Sequence, residues 1–138
     1  MSNYHIPVLL KETIEYLDVK KDEWYIDCNL GGGGHTAAIL EKGGKVLAID
    51  LDPESLEESA HRFGLILEKQ NNKYIAKSNN VILIQDNFIN LNQILTDQKI
   101  DAPKGILFDL GISSHQLDDK ERGFSYIVTG KQIGRAHV

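Results

Sequence analysis

A chain of 138 residues suits one domain of ordinary size, and 41% hydrophobic with 25% charged residues is the balance of a globular protein that buries a core. No apolar run approaches the roughly 18 residues that span a bilayer, the first residues lack the pattern of a signal peptide, and the single Cys28 excludes an internal disulfide framework; the cytoplasm is the default location and no membrane partner is expected. The net charge of −5 gives no basic face for phosphates. Either the partner is not a nucleic acid, or the basic surface lies elsewhere in the parent protein.

In chain order, Leu10, Ile14 and Leu17 fall at helical spacing and predict a first helix. Trp24 to Cys28 is a short strand that runs into glycines. His35 to Lys42 reads as a helix closed by Gly43 and Gly44, and Lys45 to Asp50 as a second buried strand. Asp52-Pro53 pairs a capping side chain with a residue favoured at the first helical position, and starts a helix expected to run to about Lys69. The residues from Asn71 to Asn80 read as a polar loop. Val81 to Gln85 is a third strand, Phe88 to Leu95 a helix, and Lys104 to Asp109 a fourth strand. This alternation predicts an α/β fold with a parallel sheet, and continuous apolar runs fit strands buried on both faces. Four strands are few for a doubly wound sheet, where about six is common.

Ligands of such sheets bind beyond the carboxyl ends of the strands, so the residues that end each strand carry the chemistry. The first strand ends at Asp27 and leads into Gly31-Gly32-Gly33-Gly34-His35. Glycines let the backbone approach a ligand closely, and the following helix aims its amides at the bound group. The run Gly32 to Ala37 also fits the dinucleotide fingerprint, so the loop alone does not choose the cofactor. Asp50 ends the second strand 19 positions after Gly31 and can accept from ribose hydroxyls. Asp52 reads as a helix cap. The third strand leads into Asp86-Asn87-Phe88: a polar group there can read an adenine edge, and Phe88 either packs the core or stacks on the ring.

The fourth strand ends at Asp109, the place that faces the reacting end of a cofactor. Methylation of an exocyclic amine is hard because the nitrogen lone pair is delocalised, and an acceptor on its N–H raises reactivity. Asp109 can be that acceptor, or it can cap the following turn. Cys28 reads as a small buried side chain and not as a nucleophile, since no basic partner is adjacent. His61 reads as a solvated or packing residue, and the five histidines show no metal spacing.

The ordered motifs together resemble one family. They are His5 to Glu12, Asp27 with Gly31 to His35, Ala48 to Pro53, Asp86 to Phe88, and Asp109 to Asp119 continued by Glu121 to Ser125. The family is the ribosomal RNA small subunit methyltransferase H group, and the resemblance covers about Tyr4 to Gly130. It implies a Rossmann-like, S-adenosylmethionine-dependent methyltransferase fold that methylates the N4 of a cytosine in the decoding centre of bacterial 16S rRNA. It further implies that Gly33, Gly34, His35, Asp50, Phe88, Asp109 and Gln116 line the S-adenosylmethionine site, which moves Phe88 from core to adenine contact. A nicotinamide-dependent oxidoreductase would explain the glycines and Asp50 but not Asp109 to Ser125, and a non-catalytic cofactor-binding remnant is the third reading. His115 stands where the family usually has Pro, and Cys28-Asn29 replaces a pair of smaller residues.

The division expected from the resemblance is residues 1–114 as the N-terminal part of the methyltransferase domain, 115–130 as the start of an inserted substrate-recognition domain, and 131–138 as a non-native tail. Ile133 to Val138 resembles a reading frame of a sequencing adapter and is expected to add nothing to the fold. The chain then reads as a truncated form. Its rRNA-contacting surface would lie mostly in the missing part, and its fourth strand would be left as an unpaired apolar edge.

Overall fold

The computed structural model describes the backbone of residues 5–109 and 125–129, with side chains from Leu10 to Leu107. Helix α1 spans His5–Leu17 and buries Ile14 and Leu17. Strand β1 (Trp24–Asp27) leads to helix α2 (Gly34–Glu41) and strand β2 (Lys45–Asp50). The end of α2 is fixed by Gly43, at φ +90°, which lets the Gly43 amide donate to Leu40 O and the Gly44 amide to Ile39 O. A Cβ on Gly44 would stand 2.8 Å from both Ile39 Cγ2 and Val19 Cγ1, so the turn also lets α2 close on the segment before β1.

Helix α3 (Pro53–Arg62) begins as expected: the Asp52 carboxylate accepts from the Glu54 amide at 2.9 Å. It ends seven residues earlier than the expected Lys69. Gly64 adopts φ +68°, and the Leu65 amide closes the helix on Ala60 O. The residues beyond are not a polar loop. They form a hairpin of β3 (Glu68–Gln70) and β4 (Lys73–Lys77), joined at Asn71-Asn72. Both asparagines have positive φ, 51° and 66°, as a tight two-residue hairpin turn requires. Polar side chains hid the strand because its outer member β3 is wholly exposed, while in β4 only Ala76 is buried outright.

Strand β5 (Val81–Gln85) is followed by a 3-10 turn over Phe88–Asn90, helix α4 (Leu91–Asp97) and strand β6 (Gly105–Asp109). The described strands form one sheet in the order β3-β4-β5-β2-β1-β6-β7, with β7 at Ser125–Thr129. The four strands read from sequence are its central parallel block, β5-β2-β1-β6; the three others are antiparallel additions. The expected bare edge at β6 is therefore covered, with Gly105 to Asp109 paired to Thr129 to Ser125.

Residues alternate between two cores. Tyr25, Val46, Ala48, Val81 and Leu83 pack on the face shared with α1, α2 and α3. Ile26, Leu47, Ile49, Ile82 and Ile84 pack on the face of Ile94 in α4. Strands buried on both sides bring their last residues out along a single line, and that line holds the candidate site.

Because the hairpin turn needs two residues at positive φ, Asn72→Val should cost about 1–2 kcal/mol of stability in urea unfolding. Asn72→Gly should be neutral or stabilising. Equal stability of the Val and Gly variants would show that the turn does not hold this conformation.

Candidate functional site

The carboxyl ends of β5, β2, β1 and β6 lie side by side, which gathers Asp86, Asp50, Asp27 and Asp109 along the same edge. Gly33 is the N-cap of α2, at φ +87°. A Cβ there would stand 3.1 Å from Ser59 Oγ and 3.2 Å from the Phe63 ring, so the residue must be glycine for conformation and for space. Gly33 brings no side-chain cap to the first turn of α2, which suits a helix start that faces a ligand. Gly34 and His35 open that helix. His35 is half-buried, and burial pushes its imidazole below the ordinary pKa, so the ring is neutral at pH 7.

Asp50 is tied to the glycine loop directly. Its Oδ2 accepts from the Gly31 amide at 3.0 Å and its Oδ1 from the Asp52 amide at 2.9 Å. A carboxylate has about four acceptor positions, so ribose hydroxyls can still be received. A Cβ added at Gly31 would meet nothing within 4 Å, so the loop keeps open space beside this carboxylate. Helix α3 holds the far side of the loop: Ser59 Oγ donates to Gly31 O at 3.2 Å and Arg62 Nη1 to Gly32 O at 2.8 Å.

Phe88 opens the turn after β5 and is 56% exposed, so it is not core, and exposed Leu51 stands at the end of β2. Asp86 Oδ2 pairs with Lys73 Nζ at 2.8 Å. The structure thus brings Gly33, Gly34, His35, Asp50 and Phe88 to one edge. It places the backbone of Asp109 there at the end of β6. Gln116, with the stretch from His115 onward, lies outside the described residues. Cys28 is half-buried, and burial pushes its thiol up to about 12, which rules out a thiolate nucleophile at neutral pH. His61 is solvent-exposed on α3, as expected. Among the described residues no group of metal-ligating side chains comes together, and no helix is long and apolar enough to cross a membrane.

Sequence reasoning gave Asp27 no role of its own. The residue is 1% exposed, and it accepts from Thr36 Oγ1 at 2.8 Å and from the Asn29 amide at 3.1 Å. It thereby ties the end of β1 to the first turn of α2 across the glycine loop. Thr36 is itself fully buried, and its place one turn into a helix behind a strand-ending acid was the available signal. Ser59 and Arg62 lie 28 and 30 residues from their loop partners and left no local signal.

Four central parallel strands, helices on both faces and a glycine loop beside an acid that ends the neighbouring strand define a Rossmann-like fold, and the sequence match below makes it that of a methyltransferase. The chain matches the model of the MraW methylase family over residues 2–131 and belongs to that family. It is 43% identical over 126 residues to a ribosomal RNA small subunit methyltransferase H of Clostridium botulinum, covering 89% of this chain and 37% of that protein. It is 45% identical over 129 residues to the protein of the same name from Mycoplasma mycoides, covering 91% and 38%. The chain therefore spans a little over a third of the length of these relatives. Among solved structures it is similar to precorrin 8W decarboxylase from Methanobacterium thermoautotrophicum, with TM-score 0.50 and 17% identity over 78% of this chain and 64% of that one, a likeness of fold alone.

Burial raises the Asp27 carboxyl from 3.8 to about 6, against the hydrogen bonds from Thr36 and Asn29, with the Asp50 charge adding to the rise. The folded protein then holds this proton more tightly than the unfolded chain. Its contribution is fully present below pH 4 and is lost as pH rises through 6, by on the order of 3 kcal/mol. Urea titrations from pH 4 to 7 should show wild type losing ground steadily to Asp27→Asn. Parallel stability curves for the two proteins would contradict this.

Proposed function

We propose that the protein containing this chain is an S-adenosylmethionine-dependent methyltransferase that modifies the N4 of a cytosine in the decoding centre of bacterial 16S rRNA. The observation that carries the reading is the bond from the Gly31 amide to Asp50. It joins a glycine loop to a ribose-type acceptor in the family to which the chain belongs. The name of the relatives, ribosomal RNA small subunit methyltransferase H, supports small-subunit ribosomal RNA as the substrate class.

In this reading Gly33, Gly34, His35, Asp50 and Phe88, with Asp109 and Gln116, line the cofactor site. S-adenosylmethionine would supply a methyl group made electrophilic by its sulfonium. The glycine loop and the start of α2 would hold its charged end, Asp50 its ribose and Phe88 its adenine. Asp109 would accept a hydrogen bond from the exocyclic amine. It would take the proton as the new C–N bond forms and the C–S bond breaks. A neutral His35 would add no positive charge against the sulfonium. The net charge of −5 leaves the basic rRNA-binding surface to other parts of the protein. We also assign residues 1–114 to the methyltransferase domain, 115–130 to the start of an inserted recognition domain, 131–138 to a non-native tail, and the protein to the cytoplasm.

Two measurements test this. Calorimetry should show S-adenosylhomocysteine binding to the chain and NADH failing to bind, with Asp50→Ala weakening the former by about tenfold or more. The reverse preference would make the protein a nicotinamide-dependent oxidoreductase, and binding of neither would leave a remnant without cofactor. In the full-length enzyme Asp109→Asn should lower turnover by about 100-fold or more. Full turnover by that variant would remove Asp109 as proton acceptor.

A further inference from the structure

The β3–β4 hairpin does more than extend the sheet. Strand β4 runs antiparallel to β5, with Ile75 opposite Ile84, so its first residues lie at the carboxyl end of β5. Two of them bind the residues that end that strand. The Tyr74 amide donates to Gln85 Oε1 at 3.1 Å, and Lys73 Nζ reaches Asp86 Oδ2 at 2.8 Å. From there the contacts continue into the site. Gln85 Nε2 donates to Leu51 O at 3.3 Å, and the Asp86 amide donates to Asp50 O at 3.1 Å.

Asp86 is the centre of this arrangement. Its Oδ1 accepts from the Asn87 amide at 2.7 Å and from Asn90 Nδ2 at 2.8 Å, and thus holds both ends of the turn that carries Phe88. Its side chain is 9% exposed, whereas that of Lys73 is 50% exposed. Burial opposes ionisation of Asp86, but the bonds from Lys73, Asn90 and the Asn87 amide, with the Lys73 charge, outweigh it and hold the carboxyl below its ordinary pKa. A carboxylate whose two oxygens already serve three internal donors is suited to hold a turn.

We propose that Lys73, delivered by the hairpin, is a positioning residue: it anchors Asp86, and Asp86 sets the turn that presents Phe88 to the cofactor. The inference rests on the cofactor reading of this edge. Removal of Lys73 leaves a nearly buried carboxylate with neutral donors only, so the turn loosens although Phe88 and Asp50 are unchanged. The half-exposed pair keeps the effect modest.

The test uses the whole 138-residue chain. In Lys73→Met, amide hydrogen exchange over residues 86–90 should quicken about three- to tenfold, with β2 and β5 amides unchanged. S-adenosylhomocysteine affinity should fall by a similar factor. Lys73→Arg, which keeps the charge, should restore both readouts. Lys77→Met removes a lysine from the other end of β4, where it bonds Gln98, and should alter neither. Unchanged exchange over 86–90 in Lys73→Met, or an equal effect of Lys77→Met, overturns the anchor. A wild-type chain that binds no S-adenosylhomocysteine overturns the cofactor reading instead, and the exchange data still decide whether Lys73 holds the turn.

Discussion

A strand buried on both faces has to stop abruptly, and the first amides of the loop beyond it need acceptors. In this protein aspartate carboxylates meet that need. Asp27 accepts from the Asn29 amide, Asp50 from the Asp52 amide and Asp86 from the Asn87 amide. Each then uses its other oxygen across the fold: Asp27 on Thr36, Asp50 on the Gly31 amide and Asp86 on Lys73. The same groups that end β1, β2 and β5 therefore also fix how the neighbouring segments sit against them. Without these bonds the strand ends and the loops beyond them would lose this shared geometry.

The glycine loop depends most on this arrangement. Gly31 is held by its amide on Asp50 and by its carbonyl under Ser59, while Arg62 holds the Gly32 carbonyl. Asp27 and Thr36 secure the start of α2 from beneath. Glycine removes the side chain from the ligand face, but it also makes the backbone soft. Contacts from α3 and β2 return the rigidity. A loop held this way can face a ligand without rearrangement, which lowers the ordering cost of binding. The bond from the Gly31 amide to Asp50 also couples the end of β2 to the loop, so the two move as one unit.

The buried Asp27 is the costly part. Its carboxyl is raised to about 6 because desolvation exceeds what two hydrogen bonds return. Stability is given up here in exchange for a fixed loop beside a binding edge, a trade expected where structure serves a ligand. The hairpin offers the opposite case. Lys73 is half-exposed and inexpensive to place, yet it acts on a carboxylate that is nearly buried.

Much of this was legible in the residues. Apolar runs such as Val46 to Ile49 and Val81 to Ile84 identify strands buried on both sides, because only those exclude polar positions altogether. Asp52-Pro53 and Gly43-Gly44 mark helix ends through capping chemistry that acts within a few residues. Hence the central parallel block, the glycine loop and Asp50 followed from sequence. The hairpin did not. Glu68 to Lys77 shows no clean strand alternation: β3 lies fully at the surface, and the pairing of β4 with β5 is a tertiary choice that leaves no periodic trace. At Gly64 a positive φ ends α3 ahead of the expected Lys69. Contacts between Ser59 and Gly31, or Lys73 and Asp86, join residues far apart along the chain. Only the folded sheet, by bringing its strand ends to one edge, decides which distant side chains meet there.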